Sequence, residues 1–231
     1  MVFQRALLLL PLTGPSLAFI LTGVVTAGVH SEAALRSLAR VRPNWLADEG
    51  EQLEVTVLVC DMAGYTSRSE RVAPSELMAL MREFFAIVDE VVGRWGGVSA
   101  RRPGDAAVVF FRPDDRPEHH TARAVRAARE LLARLDQRWP DDDIGFGITL
   151  TTGEVSLGWV GEAPPEPQIL GDPVNVAFRL QSECRERDCP ILADWKTATA
   201  AEEVMARMRP LGQVQVRNRT EPVQIFTPVD G

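Results

Sequence analysis

The pattern of apolar and polar positions separates a hydrophobic N-terminal segment from the rest of the chain. Residues 6–28 carry no charged side chain, and a run of that length can cross the apolar core of a bilayer as a helix. Arg5 precedes this run and three arginines follow it within residues 36–42, which places the remainder in the cytoplasm by the positive-inside tendency. We therefore predict a membrane anchor within residues 1–30. A signal peptide cleaved after Ala27 and a packing helix are the alternatives.

Residues 31–50 predict a short helix and a linker, and residues 51–231 predict one α/β domain. The β-branched and apolar run 53–61 is typical of a strand buried on both faces. A helix should begin at Pro74, since apolar residues recur at helical spacing from Leu77 onward, and it should end near Gly96.

The remaining pattern predicts a βαββαβ order with additions. Residues 98–101 and 106–111 predict a β-hairpin, and 118–138 an amphipathic helix. Residues 144–152 and 154–160 predict two short strands interrupted at Gly153, followed by a proline-rich loop at 161–168 and a helix after Pro173. Short strands and one helix should complete the C-terminal part. This order favours an α+β fold with the helices against one face of an antiparallel sheet.

Composition narrows the function classes. The chain of 231 residues has 25 Lys and Arg against 32 Asp and Glu, a formal net charge of −7, and is 45% hydrophobic. This acidic balance argues against a nucleic-acid binder, although a nucleotide can still bind where a metal ion offsets its phosphates. Cys60, Cys184 and Cys189 lack the spacing of zinc ligands, and we predict reduced thiols, with Cys60 in the core.

Basic side chains near the second predicted helix are expected to face solvent. His119 and His120 precede that helix and are predicted to be solvated. The arginines on it predict a charged, solubilising face; they are Arg123, Arg126, Arg129 and Arg134.

Two aspartates are candidate metal ligands. Asp61 ends the first strand and Asp105 lies in the turn of the following hairpin, so neighbouring strands would bring both carboxylates to one edge. Mg²⁺ and Mn²⁺ favour such oxygen donors together with nucleotide phosphates, and two ions about 3.5–4 Å apart suit an in-line displacement. Taken singly, Asp61 could equally be a strand-end cap and Asp105 a turn residue.

Asn175 and Arg179 are four residues apart at the start of a predicted helix and therefore share one face. An amide and a guanidinium placed there could position a sugar and hold a phosphate. Without further context, a capping or surface pair explains them equally well.

Four segments together change this picture. They are VTVLVCDMAGYTSRSE, RRPGDAAVVFF, TTGEVSLGWVG and ILGDPVNVAFRL. With these segments in this order and at this spacing, the region 53–193 resembles the class III adenylate/guanylate cyclase catalytic domain. The resemblance implies a ferredoxin-like core and a head-to-tail homodimer with active sites shared across its interface. It also implies two divalent metal ions, Mg²⁺ or Mn²⁺, at Asp61 and Asp105, with Asn175 orienting the ribose and Arg179 stabilising charge on the α-phosphate.

The residues that would contact the base depart from the family pattern. Arg101 stands where adenylate cyclases usually carry Lys, and Gln168 stands where they carry Asp or Thr. The Gln168 amide could accept from adenine or donate to guanine. Arg101 lacks the acceptor that the Glu of guanylate cyclases supplies, which favours ATP over GTP. We therefore expect a membrane-anchored adenylate cyclase. A guanylate cyclase and a catalytically silent nucleotide-binding or regulatory domain are the alternatives.

Overall fold

The computed structural model describes residues 51–65, 69–140, 144–160, 166–200, 207–216 and 219–229, with the backbone alone for 159–160 and 166–167. The predicted anchor at 6–28 and the predicted helix and linker at 31–50 lie outside the described residues. Within the described ranges, no helix is long and apolar enough to cross a membrane.

In these ranges eight strands form one sheet. They are β1 (Glu51–Ala63), β2 (Val98–Arg101), β3 (Ala106–Phe111), β4 (Gly145–Val160), β5 (Glu166–Leu170), β6 (Ile191–Asp194), β7 (Met208–Val214) and β8 (Val223–Pro228). The order is β2-β3-β1-β4-β6-β8-β7, with β5 paired to β4. Every pairing is antiparallel except β4 with β6. The antiparallel order β2-β3-β1-β4 confirms the ferredoxin-like core.

Four helices accompany the sheet in the described part of the chain. They are α1 (Pro74–Arg94), α2 (His120–Arg138), α3 (Asp172–Glu186) and the short α4 (Trp195–Thr199). Proline stands in the first turn of α1 and of α3, where its fixed φ favours a helix and its missing N–H costs nothing. The predicted starts of both helices are confirmed.

The helices cover both faces of the sheet. On one face, Leu58, Cys60 and Met62 of β1 belong to the buried apolar cluster that α1 and α2 complete. Successive strand residues point to opposite faces, so the side chain of Val59 points away from this cluster. Gln181 of α3 donates to the carbonyl of Val59. Because α3 therefore lies on the other face, the expectation that all helices cover one face holds for α1 and α2 but is wrong for α3.

Strand β4 is continuous where the sequence predicted a break. Gly153 lies inside this 16-residue strand and is paired with Val55. A Cβ atom at Gly153 would lie 2.9 Å from Cγ of Pro173. The glycine thus marks a close approach of α3 to the strand rather than a turn. Strand β5 likewise occupies the end of the predicted proline-rich loop.

Two basic side chains predicted to be solvated are buried. His120 is 2% exposed, and its Nδ1 lies 2.9 Å from Oγ1 of Thr56. Arg123 is also 2% exposed and donates to the carbonyls of Trp95 and Arg112 and to the Asp114 carboxylate. Arg123 therefore ties α2 to the ends of α1 and β3 rather than solubilising the helix.

Candidate active site

The structure brings Asp61 and Asp105 together at one edge of the sheet. Asp61, near the end of β1, pairs with Ala106, the residue that directly follows Asp105. The pKa of Asp61 is raised, first by burial and then by the negative charge of Asp105, while the charge of Arg185 opposes this shift. Two carboxylates that repel each other in a half-buried place favour a divalent cation between or beside them.

This donor set fits magnesium or manganese bound together with a nucleotide. Mg²⁺ in such sites typically takes one or two carboxylates, with water and substrate phosphates as the remaining ligands. Among the described residues no cluster of three or more His, Cys, Asp or Glu side chains is present that could hold a metal ion by itself. A pair of carboxylates suits a site of this kind, in which phosphate oxygens and water supply the remaining ligands.

Helix α3 is held against β4 by hydrogen bonds from strand side chains to the helix backbone. Oγ1 of Thr151 donates to the carbonyl of Pro173 at 2.8 Å, and Oγ1 of Thr149 donates to that of Ala177 at 2.9 Å. Both threonines are fully buried. Unlike a purely apolar contact, these bonds fix how far the helix can slide along the strand.

A glycine lets the other end of α3 approach the sheet. A Cβ atom at Gly147 would lie 2.6 Å from Oε1 of Gln181 and 3.3 Å from Cβ of Cys184. The Gln181 amide is buried and donates to Val59 and Thr149. Gly147 and Gln181 were not among the predicted site residues, although a glycine inside a strand is itself a signal of close backbone approach.

Asn175 and Arg179 lie on the face of α3 that points away from the sheet. The sheet-facing side of the helix is buried, whereas Asn175 is exposed and Arg179 is half-buried. Phe178, beside them, is 39% exposed. An amide, a guanidinium and an aromatic ring thus share an open helix surface.

The start of α3, which carries Asn175, lies apart from the two aspartates. Thr151, which bonds the start of α3, pairs with Val57, and Val57 precedes Asp61 by four residues. At about 3.3 Å per strand residue, the start of α3 lies roughly 13 Å along the sheet from Asp61. Asn175 follows two residues after Pro173 and faces outward. Asn175 therefore lies apart from the two aspartates, and Arg179, farther along α3, shares its outward face.

Arg101 and Gln168 come from neighbouring strands. Arg101 is exposed at the end of β2, and Gln168 is half-buried in β5, opposite Gly158. Cα atoms of β2 and β5 approach within 8 Å of one another. The two residues predicted to contact the base therefore lie on elements that meet.

Comparison with known proteins agrees with this fold. The family model of the adenylate and guanylate cyclase catalytic domain matches residues 48–227. The chain belongs to this family. Uncharacterized proteins Mb1352c of Mycobacterium bovis and Rv1318c of Mycobacterium tuberculosis are each 32% identical to it over 182 residues, covering 78% of this chain and 33% of the relative. This chain thus spans about a third of the length of these curated relatives.

Solved cyclase structures share its fold. The adenylyl cyclase CyaB from P. aeruginosa superposes with a TM-score of 0.68 at 23% identity, covering 79% of this chain and 96% of that one. The guanylate cyclase domain of RhGC from Catenaria anguillulae, solved with GTP, gives 0.66 at 22% identity, covering 78% and 100%. Because adenylyl and guanylyl cyclases match about equally well, the fold does not select the purine base.

Proposed function

We propose that this chain is a metal-dependent adenylate cyclase that works as a homodimer and converts ATP to 3′,5′-cyclic AMP and pyrophosphate. The observation that carries the proposal is an acidic edge at Asp61 and Asp105 together with an outward polar face on α3, which we take as two half-sites. In a head-to-tail dimer, the acidic edge of one chain faces the α3 surface of its partner. A two-fold axis then generates two complete sites.

The acidic edge suits the ions that the reaction needs. Divalent ions bound by Asp61 and Asp105 would lower the pKa of the ribose 3′-hydroxyl and neutralise the charge of the departing pyrophosphate. Burial and then the charge of Asp105 raise the pKa of Asp61, and this supports the assignment, since a cation at the edge would stabilise the ionised carboxylate.

The α3 face suits the sugar and the α-phosphate. The Asn175 amide would orient the ribose so that O3′ lies in line with the α-phosphorus. As the O3′–P bond forms and the bond to the bridging oxygen of pyrophosphate breaks, Arg179 would stabilise the charge on the α-phosphate oxygens. This is catalysis by positioning and electrostatics, and it requires that α3 be held firmly. The hydrogen bonds of Thr149, Thr151 and Gln181 meet that requirement.

Arg101 and Gln168 would contact the base. Arg101 offers donors and no acceptor, which favours adenine ring nitrogens over the N–H groups of guanine. Guanylate cyclase activity is the second candidate, because the Gln168 amide can turn to donate to the 6-oxo group of guanine. Anchoring by residues 6–28 completes the proposal and rests on the sequence pattern.

The test is a product assay on the full chain with Mn²⁺ and either ATP or GTP, followed by chromatography. The parent protein should form cyclic AMP, and Asp105→Ala should lose activity by on the order of a thousandfold. Asp115→Ala, an exposed aspartate in the loop after β3, is the matched control and should stay active. Full activity of Asp105→Ala would contradict the mechanism.

The same assay distinguishes the alternatives. Cyclic GMP as the main product would mean that the chain prefers guanine over adenine, and the proposed metal mechanism would remain unchanged. A folded, dimeric parent protein that binds ATP and forms no cyclic product would favour the regulatory domain.

A further inference from the structure

We propose that Asp89, on α1, is a positioning residue that directs Arg101 and thereby sets the preference for one purine base. The inference deepens the proposed function and rests on the role given there to Arg101. It starts from an irregularity in β2 and from the contacts that surround it.

Strand β2 contains a β-bulge at Ala100. Ser99 pairs with Val109, but the next pair joins Arg101 to Val108, so Ala100 is left over. A regular strand would set Ala100 opposite Val108. Arg101 would then point to the same side of the sheet as Ser99. The bulge reverses this and turns Arg101 to the other side.

The face that Arg101 gains is the face of the proposed site. Val108 pairs with Val59, whose neighbours on that face include Asp61 and the residues that contact α3. Ser99 stays on the opposite side, because its partner Val109 belongs to the cluster beneath α1 and α2. The bulge therefore decides whether Arg101 reaches the site at all.

Asp89 holds both ends of the bulged segment. Oγ of Ser99 donates to Oδ1 of Asp89 at 2.6 Å, and the Arg102 guanidinium donates to Oδ2 of the same carboxylate. Arg102 also lies over the ring of Phe85, with its Cζ 4.9 Å from the ring centroid. One carboxylate thus ties Ser99 and Arg102 to α1 on either side of Arg101.

This arrangement separates two adjacent arginines. With Arg102 drawn to α1 by a charged partner and an aromatic face, Arg101 remains directed toward the base. Loss of Asp89 would release the bulged segment, so that Arg101 could return to the α1 side.

The neighbouring carboxylate provides a matched control. Glu90 follows Asp89 on the same exposed helix surface, but it bonds to Arg94 and Arg134, on α1 and α2. Its removal deletes ion pairs of similar exposure without touching β2. A general loss of helix charge or stability would therefore affect both variants alike.

The experiment measures equilibrium affinities of the full chain for 3′-deoxy-ATP and 3′-deoxy-GTP, which lack the attacking hydroxyl and report binding without turnover. The variants are Asp89→Ala, Glu90→Ala, Arg101→Ala and the double variant of residues 89 and 101. We expect Asp89→Ala to reduce the ratio of the two affinities by up to about fivefold. Glu90→Ala should leave the ratio unchanged, and in the Arg101→Ala background the loss of Asp89 should have no further effect.

Two results would overturn the inference while leaving the proposed function intact. One is an unchanged affinity ratio in Asp89→Ala when Arg101→Ala shifts it, and the other is an equal effect of Asp89→Ala with and without Arg101. If Arg101→Ala itself leaves the ratio unchanged, the base-contact role of Arg101 fails and the inference fails with it. Asp89→Asn keeps an acceptor for Ser99 and should give an intermediate affinity ratio. This variant tests the inference even if the alanine variant misfolds.

Discussion

The two faces of the sheet are covered in different ways. Toward α1 and α2, the strands present large apolar side chains such as Leu58 and Phe111, which meet Phe84 and Leu131. Toward α3, alternate residues of β4 are glycines and threonines, which meet the helix through close approaches and hydrogen bonds to its backbone; they are Gly147, Thr149, Thr151 and Gly153. Both faces bury apolar side chains, but on the second face the close approaches and hydrogen bonds of β4 also fix the position of one helix.

The proposed site lies on the second face. Asp61 and Arg101 point to it through strand register, and α3, with Asn175 and Arg179, rests on it. We therefore expect stability and activity to depend on different faces of the sheet. Substitutions toward α1 and α2 should lower stability, and substitutions toward α3 should lower activity beyond any loss of stability.

The largest stability effect is expected on the apolar face. Leu131 is fully buried, and Leu131→Ala should lower the free energy of unfolding by about 3 kcal/mol through lost burial and a cavity. Urea unfolding measures this change. The cyclase activity per folded molecule should remain close to that of the parent. A much larger fall in activity than in folded fraction would contradict the different roles of the two faces.

A second effect on the same face depends on pH. Burial, assisted by the positive charges of His119 and Arg123, lowers the pKa of His120 to about 4, whereas an unfolded His titrates near 6.5. Between these values the unfolded chain binds more protons, so stability rises with pH. A contribution of about 3 kcal/mol is present above pH 6.5 and is lost as the pH falls toward 4.

Unfolding free energies measured between pH 5 and pH 7 check this expectation. His120→Gln, which has no titrating ring, should flatten the dependence. A parent protein whose stability does not change over this range would show that His120 is not buried as a neutral ring.

A smaller effect on stability, with a clear effect on activity, is expected at Gly153. The added methyl group of Gly153→Ala would press on Pro173 and cost about 1–3 kcal/mol by overpacking. It would also shift the start of α3 and therefore Asn175. Activity per folded molecule should fall by roughly tenfold, since small misplacements of positioning groups are costly.

Gly145→Ala is the control on the same strand, because its Cβ would lie an ordinary 3.6 Å from Cβ of Ala63. Activity of Gly145→Ala should match that of the parent. Equal losses in the two variants would mean that the position of α3 does not limit the reaction.

Local patterns predicted much of this fold. The bounds of β2 and β3 follow from two short strand-like runs on either side of a turn at residues 103–105, and the start of α1 follows from Pro74. The burial of His120 does not, because its partner Thr56 lies 64 positions away. The prediction of a strand break at Gly153 was wrong for the same reason. The glycine makes room for Pro173, which lies 20 positions away in the sequence and comes close only in the folded chain.

The candidate site, like the fold, could be predicted from the sequence only in part. The meeting of Asp61 with Asp105 follows from the order of strand and hairpin, and the shared face of Asn175 and Arg179 follows from helical spacing. The bulge at Ala100 and its tie to Asp89 left no signal in the sequence, because an aspartate on an exposed helix surface is typical of any soluble protein.

The central claim is that two chains complete each site, and mixing two inactive variants tests it most directly. Asp61→Ala and Arg179→Ala should each be almost inactive. Random pairing makes half of the dimers mixed, and each mixed dimer holds one complete site, so the mixture should regain about a quarter of the parent activity. A mixture of Asp61→Ala with Asp105→Ala should regain none, because both defects lie in the same half-site. If the first mixture also stays inactive although mixed dimers have formed, the sites are not shared between chains.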